Sequence, residues 1–251
     1  MYLNQKSVKA LENLQNHPQS VDNYKAAKRS AVLVALLPNS EGDLEVILTV
    51  RASTLRTNAG DSAFPGGKVD PEDVDLIATA KREAFEEVRL ATSESQTLTI
   101  LTPVLSRHFQ VVTPVVVYCP AMTTADLSLL YPNPGEVAAI FTVPLEYFLS
   151  PRPEDHKSFD MQWMIAEYRI HRFERCGSSN YILGEPDKTI KSDASTPSWP
   201  VYGMTAGVLI EVAKIAYQRE PDFEPYSPNQ VRDDSLMTEW YNRTHGLRSS
   251  I

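Results

Sequence analysis

The chain has 251 residues, 42% hydrophobic and 22% charged, a globular composition with enough apolar material for one principal core. A formal charge of -8 and a pI near 5.2 exclude a broad basic surface that would hold nucleic acid by its phosphates, but not a local basic pocket. No apolar run approaches bilayer-spanning length and "MYLNQKSVKALENLQ" lacks a hydrophobic secretory stretch. A soluble protein of the cytoplasm or an organelle is expected, although a removed leader would leave no trace.

In chain order, Val8, Leu11 and Leu14 fall at helical spacing within residues 6–16, and "NHPQSVDNYKAAKRS" follows as a loop or a weak second helix. The β-branched runs "SAVLVALLP" (30–38) and "DLEVILTVRA" (43–52), divided by the turn-forming "NSEGD", read as two strands. After "FPGGKVDPEDVD", residues Ile77, Ala80, Ala84 and Val88 mark the apolar stripe of a helix. Further strands are expected at 97–106, 109–119 and 137–143, with "PLEYFL" starting a short helix because proline suits a first turn. "QWMIAEYRIHRFE" (162–174) reads as one or two strands and "YGMTAGVLIEVAKIAYQRE" (202–220) as a long helix.

This order predicts a mixed α/β domain at 30–223, preceded by a helical arm at 1–29. A tail at 224–251 follows, with a short helix around "SLMTEWYNRT" packed on the domain. Cys119 lies in an apolar run and Cys176 in a polar one, so two reduced thiols are expected, one buried and one exposed.

Glu83, Glu86 and Glu87 stand at i, i+3 and i+4 on the predicted helix and fan over an arc of about 100°. Such like charges repel by a few tenths of a kcal/mol per pair. A hard divalent cation that takes oxygen ligands reverses that sign. A plain solvated helix face is the competing reading. Against it stand the neighbouring apolar stripe, Arg82 as a cation able to orient carboxylates, and a Gly66-Gly67 turn that lets backbone approach a ligand closely. Mg²⁺ binds through carboxylates together with substrate phosphates, whereas no His/Cys cluster favours zinc and no P-loop occurs.

Gly67 followed by "REAFEEVRL" (82–90) resembles the Nudix box, G-x5-E-x7-R-E-U-x-E-E-x-G-U with U a bulky apolar residue. One extra residue separates Gly67 from Arg82, so Asp73 and Asp75 both compete for the place of the first glutamate. Ala84 replaces a larger aliphatic residue, and Arg89 replaces the glycine that ends the helix, where an L-residue takes the left-handed turn at a cost. The longer box, the upstream "LTVRASTLRTNAGDSAFPGG" (48–67) and the downstream "NPGEVAAIFTVPLEYFL" and "VYGMTAGVLIEVAKIAYQREPDF" resemble the coenzyme A diphosphatase branch, over about residues 30–223.

The resemblance implies a Nudix fold, a mixed β-sheet sandwiched between α-helices, and a hydrolase that uses Mg²⁺ or Mn²⁺ to cut a diphosphate in a nucleoside diphosphate derivative. It implies Glu83, Glu86 and Glu87 as metal ligands and Arg82 as their orienting residue. The proton acceptor is expected among the box glutamates, with Glu136 of "NPGEV" as a second candidate that would otherwise cap a turn. Arg51, Arg56 and Lys68, with the Gly66-Gly67 backbone, are candidates for phosphate contacts; plain surface charge is the preferred reading for Arg51 but not for Arg56. His108, Trp199 and Tyr202 are candidates for base contacts, or a loop residue and core packing.

The branch implies coenzyme A or acyl-CoA as the substrate, cut to 3',5'-ADP and a phosphopantetheine. The alternatives are the same chemistry on capped mRNA or an oxidised nucleoside triphosphate, and a binding protein that has kept the fold without the catalysis. A small nucleotide partner, with capped RNA left open and no membrane, is the expectation.

Overall fold

The computed structural model describes residues 3–25, 28–177, 181–184, 198–230 and 234–245. Helix α1 (Gln5–Gln15) opens at Asn4, whose side chain accepts the Ser7 N–H at 2.9 Å, the usual satisfaction of an orphan donor in a first turn. Strands β1 (Lys28–Pro38) and β2 (Leu44–Arg51) follow, then the short β3 (Ser62–Ala63) and β4 (Gly66–Lys68). Helix α2 (Leu76–Val88) comes next, and after it β5 (Gln96–Ile100), β6 (Val104–Leu105), β7 (Gln110–Tyr118) and β8 (Val137–Pro144). The chain continues through β9 (His156–Trp163), β10 (Ala166–Cys176), β11 (Tyr181–Leu183), β12 (Trp199–Tyr202), α3 (Gly203–Tyr217) and α4 (Asp234–His245).

The main sheet runs β11-β8-β2-β1-β7-β5, with β3 on β2, β4 on β1 and β6 on β7. The β1/β7 pair is parallel and the other pairs are antiparallel, so the sheet is mixed. Successive residues of a strand point to opposite faces. Val34 and Leu36 of β1 therefore pack with Ala10 and Leu14 of α1 and Leu209 and Ala213 of α3. Ala31, Leu33, Ala35 and Leu37 pack with Ala80, Ala84 and Val88 of α2. Helices thus cover both faces of the sheet, the sandwich expected of the sequence. Among the described residues no helix is long and apolar enough to cross a membrane.

A second sheet, β12-β10-β9, stands beside the first. The run read as one or two strands at 162–174 is a hairpin whose first arm begins earlier, at His156, where an exposed, polar strand has little periodic signal. The strand expected at 97–106 is broken into β5 and β6, because Leu101 turns its N–H to the Pro114 carbonyl at 3.0 Å and Pro103 has no N–H to give a ladder. "LEYF" forms a 3-10 turn, and "NHPQSVDNY" is irregular, with residues 26–27 outside the described set.

Cys119 and Cys176 are both free thiols and both buried, so the exposed site expected for Cys176 is corrected. Cys176 pairs with Trp199 across β10 and β12 and is enclosed by the core despite its polar neighbours in sequence. Helix α4 inserts Met237 and Tyr241 into a satellite cluster with Tyr24, Leu105, Val111 and Ala166, which ties α4 to the segment after α1. The final residues 246–251 of the predicted tail lie outside the described residues.

Candidate active site

The Gly66-Gly67 turn enters β4, which lies antiparallel to β1 with Val32 opposite Gly66 and Ala31 opposite Gly67. A Cβ at Gly66 would stand 2.5 Å from the Ala31 carbonyl oxygen, and one at Gly67 would overlap the Glu83 carboxylate. Both positions are glycine because something must come closer than a side chain permits. For Gly66 it is the neighbouring strand, and for Gly67 it is a candidate metal ligand.

Helix α2 starts at Asp75, whose carboxylate accepts the Ala78 N–H at 2.7 Å. Of the two candidates for the place of the first glutamate, Asp75 is thus engaged in capping the helix. Asp73 receives Arg82 in a bidentate pair, Nε to Oδ1 at 2.9 Å and Nη2 to Oδ2 at 2.8 Å. Its carboxylate also accepts from the Asp70 N–H and the Thr79 hydroxyl. The guanidinium beside it holds the Asp73 carboxyl well below the usual carboxylate range.

Arg82 also donates Nη2 to the Lys68 carbonyl at 3.0 Å, and presents Nη1 to Glu83 at 3.2 Å and to Glu86 at 3.3 Å. One planar cation thus spaces two carboxylates of its own helix and pins the strand that follows Gly67. Glu83 is mostly enclosed and Glu86 half exposed. Burial raises the Glu83 pKa despite Arg82, and Glu86 and Glu136 add to the rise.

Glu87 is buried, although the periodic stripe leaves it beside the apolar face. Its Oε2 accepts the Gly66 N–H at 3.2 Å, the one direct hydrogen bond to it among the described residues. Burial pushes its pKa up to about 8, opposed by the Gly66 N–H and by Arg51, and reinforced by Glu136 and Glu83.

Arg51 closes β2 at a register shift against β8, a bulge of the sort that re-aims a side chain. Its Nε is buried with no hydrogen-bond partner among the described residues, while its charge faces Glu87. The plain surface reading preferred for Arg51 therefore does not describe it. Arg56 is exposed in the loop after β2 and makes no ion pair with any described residue, and the Lys68 side chain is exposed at the end of β4.

The "NPGEV" loop is drawn to this cluster by its backbone. Asn133 N–H donates to the Glu87 carbonyl at 2.8 Å, and Ala52 N–H to the Glu136 carbonyl at 2.8 Å. Asn133 Nδ2 holds the Glu136 carboxylate at 3.1 Å. Asn133 was not singled out in the sequence; its position three residues before a candidate base was the available signal. His108 is exposed in a turn, Trp199 packs on Phe141 in the core, and Tyr202 donates its hydroxyl to Asp61 at 2.6 Å.

These residues suit a hard divalent cation, since the donors are carboxylates, one of them is buried with a single N–H for company, and the glycine cradle leaves room at Glu83. Among the described residues no three Asp, Glu, His or Cys side chains are already gathered at metal-binding distance. Glu83 and Glu86 both turn to Arg82, and Glu87 turns to Gly66.

A fold of helices on a mixed sheet, with Glu83, Glu86 and Glu87 presented beside a glycine turn, defines a hydrolase-like scaffold built around one acidic helix. The NUDIX domain model matches residues 27–164. The chain belongs to the Nudix hydrolase family. It is 39% identical over 202 residues to Nudix hydrolase 15, mitochondrial, of Arabidopsis thaliana, covering 80% of this chain and 63% of the relative. It is 36% identical over 203 residues to the chloroplastic Nudix hydrolase 22 of the same plant, covering 80% and 60%. Less than two thirds of either plant protein is therefore spanned. The mouse peroxisomal coenzyme A diphosphatase NUDT7 is 32% identical over 199 residues, covering 79% of this chain and 75% of that protein.

Proposed function

We propose that the protein is a divalent-metal-dependent diphosphatase that cuts coenzyme A or acyl-CoA into 3',5'-ADP and a phosphopantetheine. The observation that carries the chemistry is Glu87, a buried carboxylate held by one backbone N–H and raised to about 8, beside Glu83 and Glu136. A site that crowds partly buried carboxylates gains from a cation more than a solvated helix face would. The substrate rests on the likeness to a mouse coenzyme A diphosphatase, which spans most of both chains.

Glu83, Glu86 and Glu87 would hold Mg²⁺ or Mn²⁺, which when bound supplies charge neutralisation on the diphosphate and a polarised water. Arg82, fixed by Asp73, sets the spacing of Glu83 and Glu86 and keeps the turn after Gly67 in place. Arg51, with its free Nε, would donate to a phosphate oxygen and stabilise charge that develops there. A box glutamate takes the proton of the attacking water, and Glu136, oriented by Asn133, stands second for that role.

The test is a substrate panel with Mg²⁺ or Mn²⁺ and with EDTA, read by chromatography. Release of 3',5'-ADP and a phosphopantetheine from coenzyme A, abolished by EDTA, is expected. Turnover of capped RNA or an oxidised nucleoside triphosphate with coenzyme A untouched would overturn the substrate. Metal binding with no turnover of any diphosphate would overturn the enzyme and leave a binding protein.

A further inference from the structure

His156 of β9 and His171 of β10 belong to neither the acidic helix nor its glycine turn, and the proposed chemistry does not use them. Their rings stack at 5.2 Å and 15°, and His171 is almost wholly buried. Phe223, from the segment that follows α3, closes over both, with its ring 4.1 Å from His156 and 5.1 Å from His171. Phe173 lies 5.0 Å from His156 and completes an aromatic enclosure.

A single chain of hydrogen bonds runs through the pair. His171 Nε2 lies 2.9 Å from the Pro225 carbonyl, and its Nδ1 lies 3.0 Å from His156 Nε2. A carbonyl only accepts, so His171 carries its proton on Nε2 and leaves Nδ1 bare. His156 then donates from its own Nε2. Both rings are thereby fixed as one neutral tautomer, and a proton added at His171 Nδ1 would set two N–H groups against each other.

The Pro225 carbonyl is one of the points by which residues 221–230 lie on β10. Arg169 donates its N–H to Gln230 Oε1 at 3.0 Å and its Nη1 to the Glu224 carbonyl at 3.4 Å, and Ser227 pairs with Glu167. The Tyr226 hydroxyl sits between Lys214 and Glu211 of α3, at 2.6 and 2.7 Å. Phe223 packs against the core, and it meets that core through the two imidazoles.

The charges around the pair are already matched. Asp160 of β9 holds Arg169 of β10 at 2.7 Å, Lys157 of β9 holds Glu174 of β10 at 3.1 Å, and Asp155 pairs with Arg175. On the segment itself, Asp222 faces Arg219 at 3.4 Å. Among the described residues neither imidazole has a carboxylate as a hydrogen-bond partner that would favour its cation.

We propose that His156 and His171 form an acid-sensitive latch, which holds residues 221–230 on β10 while both rings are neutral and releases them when both take up protons. The latch rests on none of the substrate reading above. Burial lowers His156 to about 4, with His171 adding to the fall; burial also lowers His171, opposed by the Pro225 carbonyl. A folded pKa below the ordinary histidine value near 6.5 means that the open state binds more protons. The hold is therefore complete above about 6.5 and is lost as pH falls towards about 4. Arg169 keeps Asp160 below the usual carboxylate range, so that pair persists through the window.

Hydrogen exchange of the full chain, divided by the intrinsic rate at each pH, is the test. Exchange of residues 221–230 should rise at least tenfold between about pH 7.5 and pH 5, with β1 and β7 unchanged. His156→Gln keeps a side-chain N–H donor for His171 and takes up no proton, and His171→Gln keeps one for Pro225; each should cut that rise to a third or less. Wild type supplies a second reading that needs no variant. Long-range nitrogen–proton NMR correlations should show both rings as Nε2–H at about pH 7.5, with neither titrating at its ordinary value. An unchanged segment at about pH 5, a rise shared equally by β1 and β7, the same rise in both variants, or two rings titrating near 6.5 would each overturn the latch.

Discussion

Asp73 and Arg82 face each other through two parallel hydrogen bonds, at 2.9 and 2.8 Å, and Arg82 then reaches Glu83 and Glu86 with its remaining nitrogen. The geometry of the acidic helix thus depends on a residue nine positions before Arg82, outside the helix itself.

The first expected outcome concerns that pair. Asp73→Asn keeps the shape but removes the charge that fixes Arg82, so activity should fall at least tenfold while the fold persists, measured by kcat and circular dichroism. The Asp73 pKa is depressed in the folded state, so its contribution is present above the unfolded value near 4 and is lost as pH falls through the lower folded value. Acid unfolding of wild type should therefore steepen below about pH 4, and Asp73→Asn should flatten that limb.

Glu87 gives the opposite sign. Its folded pKa of about 8 lies above the ordinary glutamate value of 4.5, so the native state binds the extra proton and loses stability as pH rises between them. In EDTA, Glu87→Gln should be more stable than wild type at pH 9, by about 1–4 kcal/mol, and equal to it at pH 4. The variant should also lose turnover by orders of magnitude. Denaturant melts at the two pH values decide it; a Glu87→Gln protein less stable at pH 9 would show that the carboxylate is not penalised by burial. Added Mg²⁺ should raise wild-type stability at pH 9 more than that of the variant.

The two glycines of the turn should respond differently to the same change. Gly67→Ala drives a methyl into the Glu83 carboxylate, a side chain that can swing away, so the protein should fold and lose activity. Gly66→Ala meets the Ala31 carbonyl and the Val32 backbone, which cannot move independently, so it should lose several degrees of Tm or fail to accumulate. Similar melting temperatures for the two variants would contradict this assignment.

Much of this arrangement is legible in the sequence and some of it is not, for physical reasons. Helix α2 announces itself because Ala80, Ala84 and Val88 repeat with the helical period, and its three glutamates follow from that period. That Glu87 is buried depends on Gly66, 21 positions earlier, and no periodicity within the helix carries a contact of that range. Asp73 and Asp75 are equivalent as spacing and separate only when Asp75 is seen to cap the helix. Strands β3 and β4 are two and three residues long, too short for alternation, and exist because longer strands pair with them. Arg172 and Tyr202 meet through a strand register, which sequence spacing does not encode.

The end of α2 supplies the last expectation. Arg89 has φ 58° and ψ 26°, the left-handed conformation, and its N–H and that of Leu90 close the helix on the Phe85 and Ala84 carbonyls at 3.0 and 3.4 Å. An L-residue pays about 1–2 kcal/mol in that region, which glycine avoids. Against this, the Arg89 guanidinium lies 5.1 Å from the Phe85 ring, an exposed cation–π contact worth about 0.5–1 kcal/mol, and glycine adds freedom to the unfolded chain. Backbone relief is the larger of these at a helix terminus, so Arg89→Gly should raise stability by about 0.5 kcal/mol and leave kcat/KM within a factor of two. Arg89→Ala isolates the other contribution: it keeps the strained backbone and deletes the ring contact, and should be less stable than wild type. If Arg89→Gly melts below Arg89→Ala, the left-handed backbone is not where the cost resides.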